Sequence, residues 1–168
     1  MKIVTTMITT IMKTITNMPM NNKVLDIWKQ FEQNRHKGMV KRLYSSDSTI
    51  NVYCIYQYPE ECYGIALSFP KTICFNIKPY SNLSELKVEL YEDSSFENSW
   101  LLCVTITDKD KKSIFSYLCE NIIQTILKES SIKSAVTSFA NTLIKWKNLF
   151  EKTHSTGLSK EEQQGLYG

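Results

Sequence analysis

From Lys23 onward the apolar residues fall into two periods. Val24, Ile27, Trp28 and Phe31 recur at three- and four-residue intervals, which predicts an amphipathic helix ending before Gly38. Residues 39–44 and 50–58 are instead rich in β-branched and aromatic side chains. The polar run Ser45-Ser46-Asp47-Ser48 between them predicts a turn joining two strands. Pro59-Glu60-Glu61 marks a second turn, and 62–69 reads as a third strand. Pro70 lacks the N–H a sheet ladder needs, yet 72–77 keep an extended character. Leu86, Val88 and Leu90 alternate with polar residues, as in a strand with one solvated face. The strongly apolar 100–107 predicts a central strand.

The period then changes. Thr107 or Asp108 can cap a helix carrying Ile114, Phe115, Leu118, Ile122 and Ile126. Ser130-Ser131 breaks it and can cap another, with Ile132, Ala135, Val136, Phe139, Leu143, Trp146, Leu149 and Phe150 on its apolar face. So short a link makes the two helices antiparallel neighbours. Strands first and helices afterwards predict an α+β domain over 23–152: an antiparallel sheet with a C-terminal antiparallel helix pair packed on one face.

Both ends fall outside that domain. In 1–22, Ile3/Val4, Met7/Ile8, Ile11/Met12 and Ile15 draw a stripe at intervals of four, but mostly through Thr, a poor helix former. Three readings stand: a disordered leader or misassigned start, a docking helix, and a membrane-surface helix. Residues 153–168 read as a linker and the truncated start of a further element. Ser159 and Glu162 form an S-x-x-E capping box, so a helix starts there, and the chain ends at Gly168 before it acquires a body. A frayed tail is the alternative. A cut at a junction would leave Leu158, Leu166 and Tyr167 exposed as an interaction surface, through which the chain could self-associate as a homo-oligomer.

Composition narrows the function classes. A net charge of +3 does not by itself imply a nucleic-acid partner. Its distribution is uneven: Lys23, Lys29, Arg35, Lys37, Lys41 and Arg42 cluster against Asp26 and Glu32, while Glu85, Glu89, Glu92, Asp93 and Glu97 cluster against Lys87. The five cysteines form no C-x-x-C pair, and most lie in apolar runs; they read as buried thiols of a reducing, cytoplasmic compartment. With two histidines and no Cys/His cluster at ligand spacing, no metal site is expected. No stretch reaches the ~18 apolar residues of a membrane span.

Candidate active-site motifs are scarce, and no catalytic residue is assigned. There is no phosphate-binding Gly-rich loop and no G-x-S-x-G. The acidic pairs Glu60/Glu61, Glu92/Asp93 and Glu161/Glu162 sit in turns or at a helix start, where carboxylates serve solvation and the helix dipole. Arg35, Lys37, Lys41 and Arg42, near Trp28, Phe31 and Tyr44, are candidate DNA-phosphate contacts. The competing reading places Trp28 and Phe31 in the core.

The tail carries a second meaning. Leu143-x-x-Trp146-x-x-Leu149, a spacer, then Gly157-Leu158-Ser159-x-Glu161-x-Gln163-x-Gly165-Leu166-Tyr167-Gly168 resembles the middle of the PD-(D/E)XK motif proteins, a nuclease-like family. Trp28 and the Phe115–Cys119 helix are similar to that family's upstream part, so the resemblance spans roughly 23–168. It implies a nuclease core opening after the last Gly, with an acidic set holding Mg²⁺ in a complete member. Those carboxylates and the later Glu-x-Lys pair cannot be placed on this chain, so no cofactor is expected within it. The resemblance implies the N-terminal, non-catalytic binding or scaffold domain of a restriction or phage-defence nuclease-like protein. Its expected partners are DNA, another protein, or the missing nuclease half. The alternatives are a Mg-dependent endonuclease active only with that half, and a stand-alone interaction module.

Overall fold

Asn22 opens the first helix: its side-chain oxygen accepts the Leu25 amide at 3.1 Å, and α1 runs Lys23–Gln33. The computed structural model describes residues 22–167, with side chains described for 22–151. The leader reading of 1–22 therefore lies outside the described residues except at Asn22, which is buried and also donates to Ser116 Oγ at 2.8 Å.

Five strands follow: β1 (Gly38–Leu43), β2 (Val52–Tyr58), β3 (Cys62–Pro70), β4 (Leu86–Glu92) and β5 (Ser99–Ile106). They form one antiparallel sheet in the order β1-β2-β3-β5-β4. The apolar β5 is indeed internal, between β3 and β4. Gly38 does not cap α1; it opens β1 at φ +105°, a conformation that glycine adopts at little cost. Asp108 Oδ1 accepts the Asp110 amide at 3.0 Å, but the turn it starts is a short 3₁₀ segment, Lys109–Lys111. Helix α2 (Lys112–Leu127) continues from it. Ser131 Oγ accepts the Ser134 amide at 3.1 Å and starts α3 (Ile132–Tyr167). The helical backbone passes through Ser159 without interruption, where the capping box predicted a connector and a new start.

The three helices of the described residues lie on one face of the sheet, because strand alternation sends one apolar set there. Val52, Cys54 and Tyr56 of β2, Ile65 and Leu67 of β3, and Leu102 and Val104 of β5 form the main core with helix side chains. Phe115 is its hub: fully buried, stacked 6.1 Å from Trp28 and edge-on to Trp146 at 5.4 Å. Truncating such a ring costs about 3–5 kcal/mol. Trp28 also donates its indole N–H to Gly64 O at 3.1 Å, tying α1 to the middle of β3. The opposite face carries a smaller buried cluster, Tyr53, Ile55, Ala66, Leu101 and Cys103.

The segment after β3 leaves the sheet. Residues 72–77 do not keep the expected extended character: Thr72 lies in a turn and Ile73 in a bend, Ile77 has helical dihedrals, and the segment pairs with no strand. Lys78–Tyr80 then makes a 3₁₀ turn.

Candidate functional site

Lys41 and Arg42 are consecutive residues of β1, so the strand's two-residue period sends them to opposite faces. Lys41 lies over the smaller cluster, its Nζ 4.7 Å from the Tyr53 ring centre, 3.1 Å from Asp93 Oδ1 and 3.0 Å from Ser95 Oγ. Arg42 crosses the helical side, 5.3 Å from the Phe31 ring centre, and donates to Gln30 Oε1. Arg35, beyond α1, sits 3.4 Å from Glu61 and 5.6 Å from the Tyr58 ring centre. Lys37 is exposed in the loop before β1. The four cations thus occupy three separate settings. Trp28 and Phe31 are core residues. The side chains of Leu158, Leu166 and Tyr167 lie outside the described residues.

The half-buried carboxylates are each held by cations, hydroxyls or amides, in places remote in sequence. Glu61, at φ +56° in the β2–β3 turn, accepts from Lys109 as well as facing Arg35. Glu32 accepts from Tyr63 Oη at 2.7 Å and from Lys112. Burial pushes the Glu32 carboxyl up, but Lys112 and Tyr63 outweigh it and leave the group below its ordinary range. Burial and the Glu32 charge push the Tyr63 phenol up. Beside it, the Tyr56 hydroxyl is buried without a hydrogen-bond partner, its ring centre 5.1 Å from that of Tyr63.

Asp93 follows β4 directly and folds onto the outer face. Burial raises its carboxyl, yet the Ser68 hydroxyl, the Ser95 amide (2.8 Å) and Lys41 together hold it below the ordinary range. Its neighbour Glu92 turns away to Lys71. A third carboxylate, Glu120 of α2, accepts from Tyr44 Oη and from the Val24 amide at 3.2 Å, while Gln124 donates to Tyr44 Oη at 2.8 Å. Glu151 accepts the Ser84 and Glu85 amides at 3.1 and 3.0 Å, closing the loop before β4 onto α3. Apart from the local Ser95 amide on Asp93, these ties were not readable from the sequence, because they join residues 21 or more positions apart.

Chemically, these groups are spent on structure. Among the described residues no three His, Cys, Asp or Glu side chains converge as metal ligands. Burial, with Glu120 adding to it, pushes the Cys54 thiol up to about 12, and burial with Glu89 does the same for Cys103. A thiol that stays protonated is a poor nucleophile. Cys74 is the exposed cysteine. It lines a cleft of about 630 Å³ between residues 72–80 and α3, with Lys133 the one charged side chain on its wall. No helix of the described residues is long and apolar enough to cross a membrane.

A family model described as "Putative PD-(D/E)XK family member" matches residues 24–168. No curated protein and no solved structure matches the chain.

Proposed function

We propose, on the premise that the chain belongs to the PD-(D/E)XK family, that its described domain is a non-catalytic binding and scaffold domain of a nuclease-like protein. One observation supports this most: Glu32, Glu61, Asp93, Glu120 and Glu151 are each neutralised or hydrogen-bonded at a different place in the fold. Metal-assisted phosphodiester hydrolysis needs carboxylates that converge on one open site and a group that positions the attacking water. A carboxylate already bonded to a lysine and a hydroxyl has little capacity left for a divalent ion. On this reading the domain supplies contacts, and restriction or phage defence is the setting in which it would do so.

Protein is the better-supported partner. Lys41 and Arg42 face away from each other, and Lys41 and Arg35 are matched by Asp93 and Glu61. A phosphate backbone is bound by unmatched cations along one face. Incubating the purified chain with supercoiled plasmid and Mg²⁺ or Mn²⁺ tests the non-catalytic reading, which expects intact plasmid. Reproducible nicking that needs the metal and is lost in Glu161→Ala/Glu162→Ala would overturn it.

A further inference from the structure

We infer that the outer face of the sheet is a docking surface for this chain's own residues 3–15, packed on it as an amphipathic helix. The sheet supplies the first reason. Ile55, Ala66 and Cys103 point away from α1, α2 and α3, yet they are 1%, 0% and 2% exposed. Met39 and Tyr91, at the two edges of the same face, are 38% and 37% exposed. The burial therefore follows the inner strands β2, β3 and β5 and stops at the edge strands.

Neighbouring side chains do not account for it. Lys41 lies opposite Ile55 but leans over Tyr53 to Asp93. Gly64, on the other side of Ile55, has no side chain to shield it. Lys87 and Tyr91 are tied to Glu89 along β4 itself. These exposures are those of one chain on its own, so the cover belongs to the same chain. Helix α3 packs on the other face and its backbone runs on as helix to Tyr167, which leaves residues 1–21.

The sequence supplies the second reason. The stripe from Ile3 to Ile15 gives such a helix an apolar side, and at about 100° per residue Lys2, Thr6, Thr9 and Lys13 fall opposite it. A helix is about 10 Å wide, and β2, β3 and β5 together span about 10 Å. Residues 3–15 rise about 20 Å as a helix, the length of a strand such as β1. The route is open as well. Helix α1 starts at the sheet's edge, where Lys23 donates to Tyr44 O just after β1. Residues 16–21 reach about 20 Å when extended, enough to round that edge, and Pro19 keeps them from fusing the two helices into one.

Cys103 is the reporter, since it lies under the docked helix, while Cys74 is exposed and Cys119 is buried on the helical side. Alkylating the full chain with N-ethylmaleimide in native buffer, followed site by site by mass spectrometry, should label Cys74 fast and spare Cys103. Ile8→Asp/Ile11→Asp should speed labelling of Cys103 at least about tenfold with Cys119 still spared, because an unpaired buried carboxylate costs more than a tenfold shift in equilibrium. Thr9→Asp, the same charge on the opposite side, should change nothing. Where the double variant unfolds and Cys119 reacts too, amine cross-linking of the unaltered chain decides: Lys2 and Lys13 should link to Lys87 on the outer face. Four results would overturn the inference: Cys103 labelled as fast as Cys74 in the parent, equal protection in the parent and the folded double variant, protection lost on dilution (a second copy is then the cover), or links from Lys2 and Lys13 to Lys133 of α3 in place of Lys87.

Discussion

Gly64 sits in the middle of β3, between Ile55 of β2 and Thr105 of β5. A Cβ placed there would lie 1.9 Å from Val104 O, 2.7 Å from Thr105 Cγ2 and 2.8 Å from Thr105 Cα. Ordinary carbon–oxygen contacts begin near about 3.3 Å, so Gly64→Ala demands a displacement of roughly 1.4 Å between paired strands. Two of the three obstructing atoms are backbone, which cannot rotate aside. Overpacking of this kind costs about 1–3 kcal/mol. The same shift pulls Gly64 O from the Trp28 indole, leaving a buried donor without its acceptor at about 1–3 kcal/mol more. The total is about 2–6 kcal/mol, or a fall of at least roughly 4 °C for a domain of this size. Gly38→Ala is the control. It meets no atom within 4 Å and carries only the strain of φ +105°, about 1–2 kcal/mol. Thermal unfolding by circular dichroism, with urea titration where the variant folds, separates the two. A Gly64→Ala chain melting within 2 °C of the parent, or no lower than Gly38→Ala, refutes the close approach of β3 and β5.

Three further predictions follow from the polar ties. Asp93 has its carboxyl held below its ordinary value of about 3.8, so its contribution is complete above that pH and is lost as pH falls through the lower folded value. Asp93→Asn should therefore lower the urea midpoint at pH 6 and flatten its decline between pH 4 and 2; an unchanged acid profile would count against the Lys41–Asp93–Ser68 clamp. Tyr56→Phe removes a buried hydroxyl that has no partner and should leave the melting temperature unchanged or higher. Tyr44→Phe strips a donor from Glu120 and should cost about 1.5–3 kcal/mol, and equal effects of the two would contradict the assignment. Because Lys41 and Arg42 face opposite ways, at most one can meet a given duplex. If the chain binds DNA at low salt, neutralising both should therefore reduce the log–log salt slope by about 0.9, and a reduction near 1.8 would place them on one surface.

The parts of the fold that rest on local periodicity were legible in the sequence. Val24, Ile27, Trp28 and Phe31 announced α1, and the change from period two to period four after Thr107 announced the order of sheet and helix pair. What escaped was whatever depends on pairing. The alternation of 72–77 was visible and survives as exposed and half-buried side chains, but not the turn and bend that take the segment out of the sheet, since Ser99 to Ile106 takes the place beside β3. The same blindness affected charge. Arg35, Lys41 and Arg42 read as one basic cluster along the chain. Register then matched Lys41 with an aspartate 52 residues away and sent Arg42 to the other face. The continuous backbone of α3 shows a different limit: Gly157 and Ser159 favour a helix boundary, and that local preference is weak against a helix already propagating through them.

The central claim is that this chain assembles no metal-dependent nuclease site of its own. Titrating Mn²⁺ into the purified chain, read by calorimetry, tests it most directly. No saturable heat of binding is expected at millimolar metal. A single stoichiometric site of micromolar affinity, lost when Glu161 and Glu162 are changed to Gln, would contradict it.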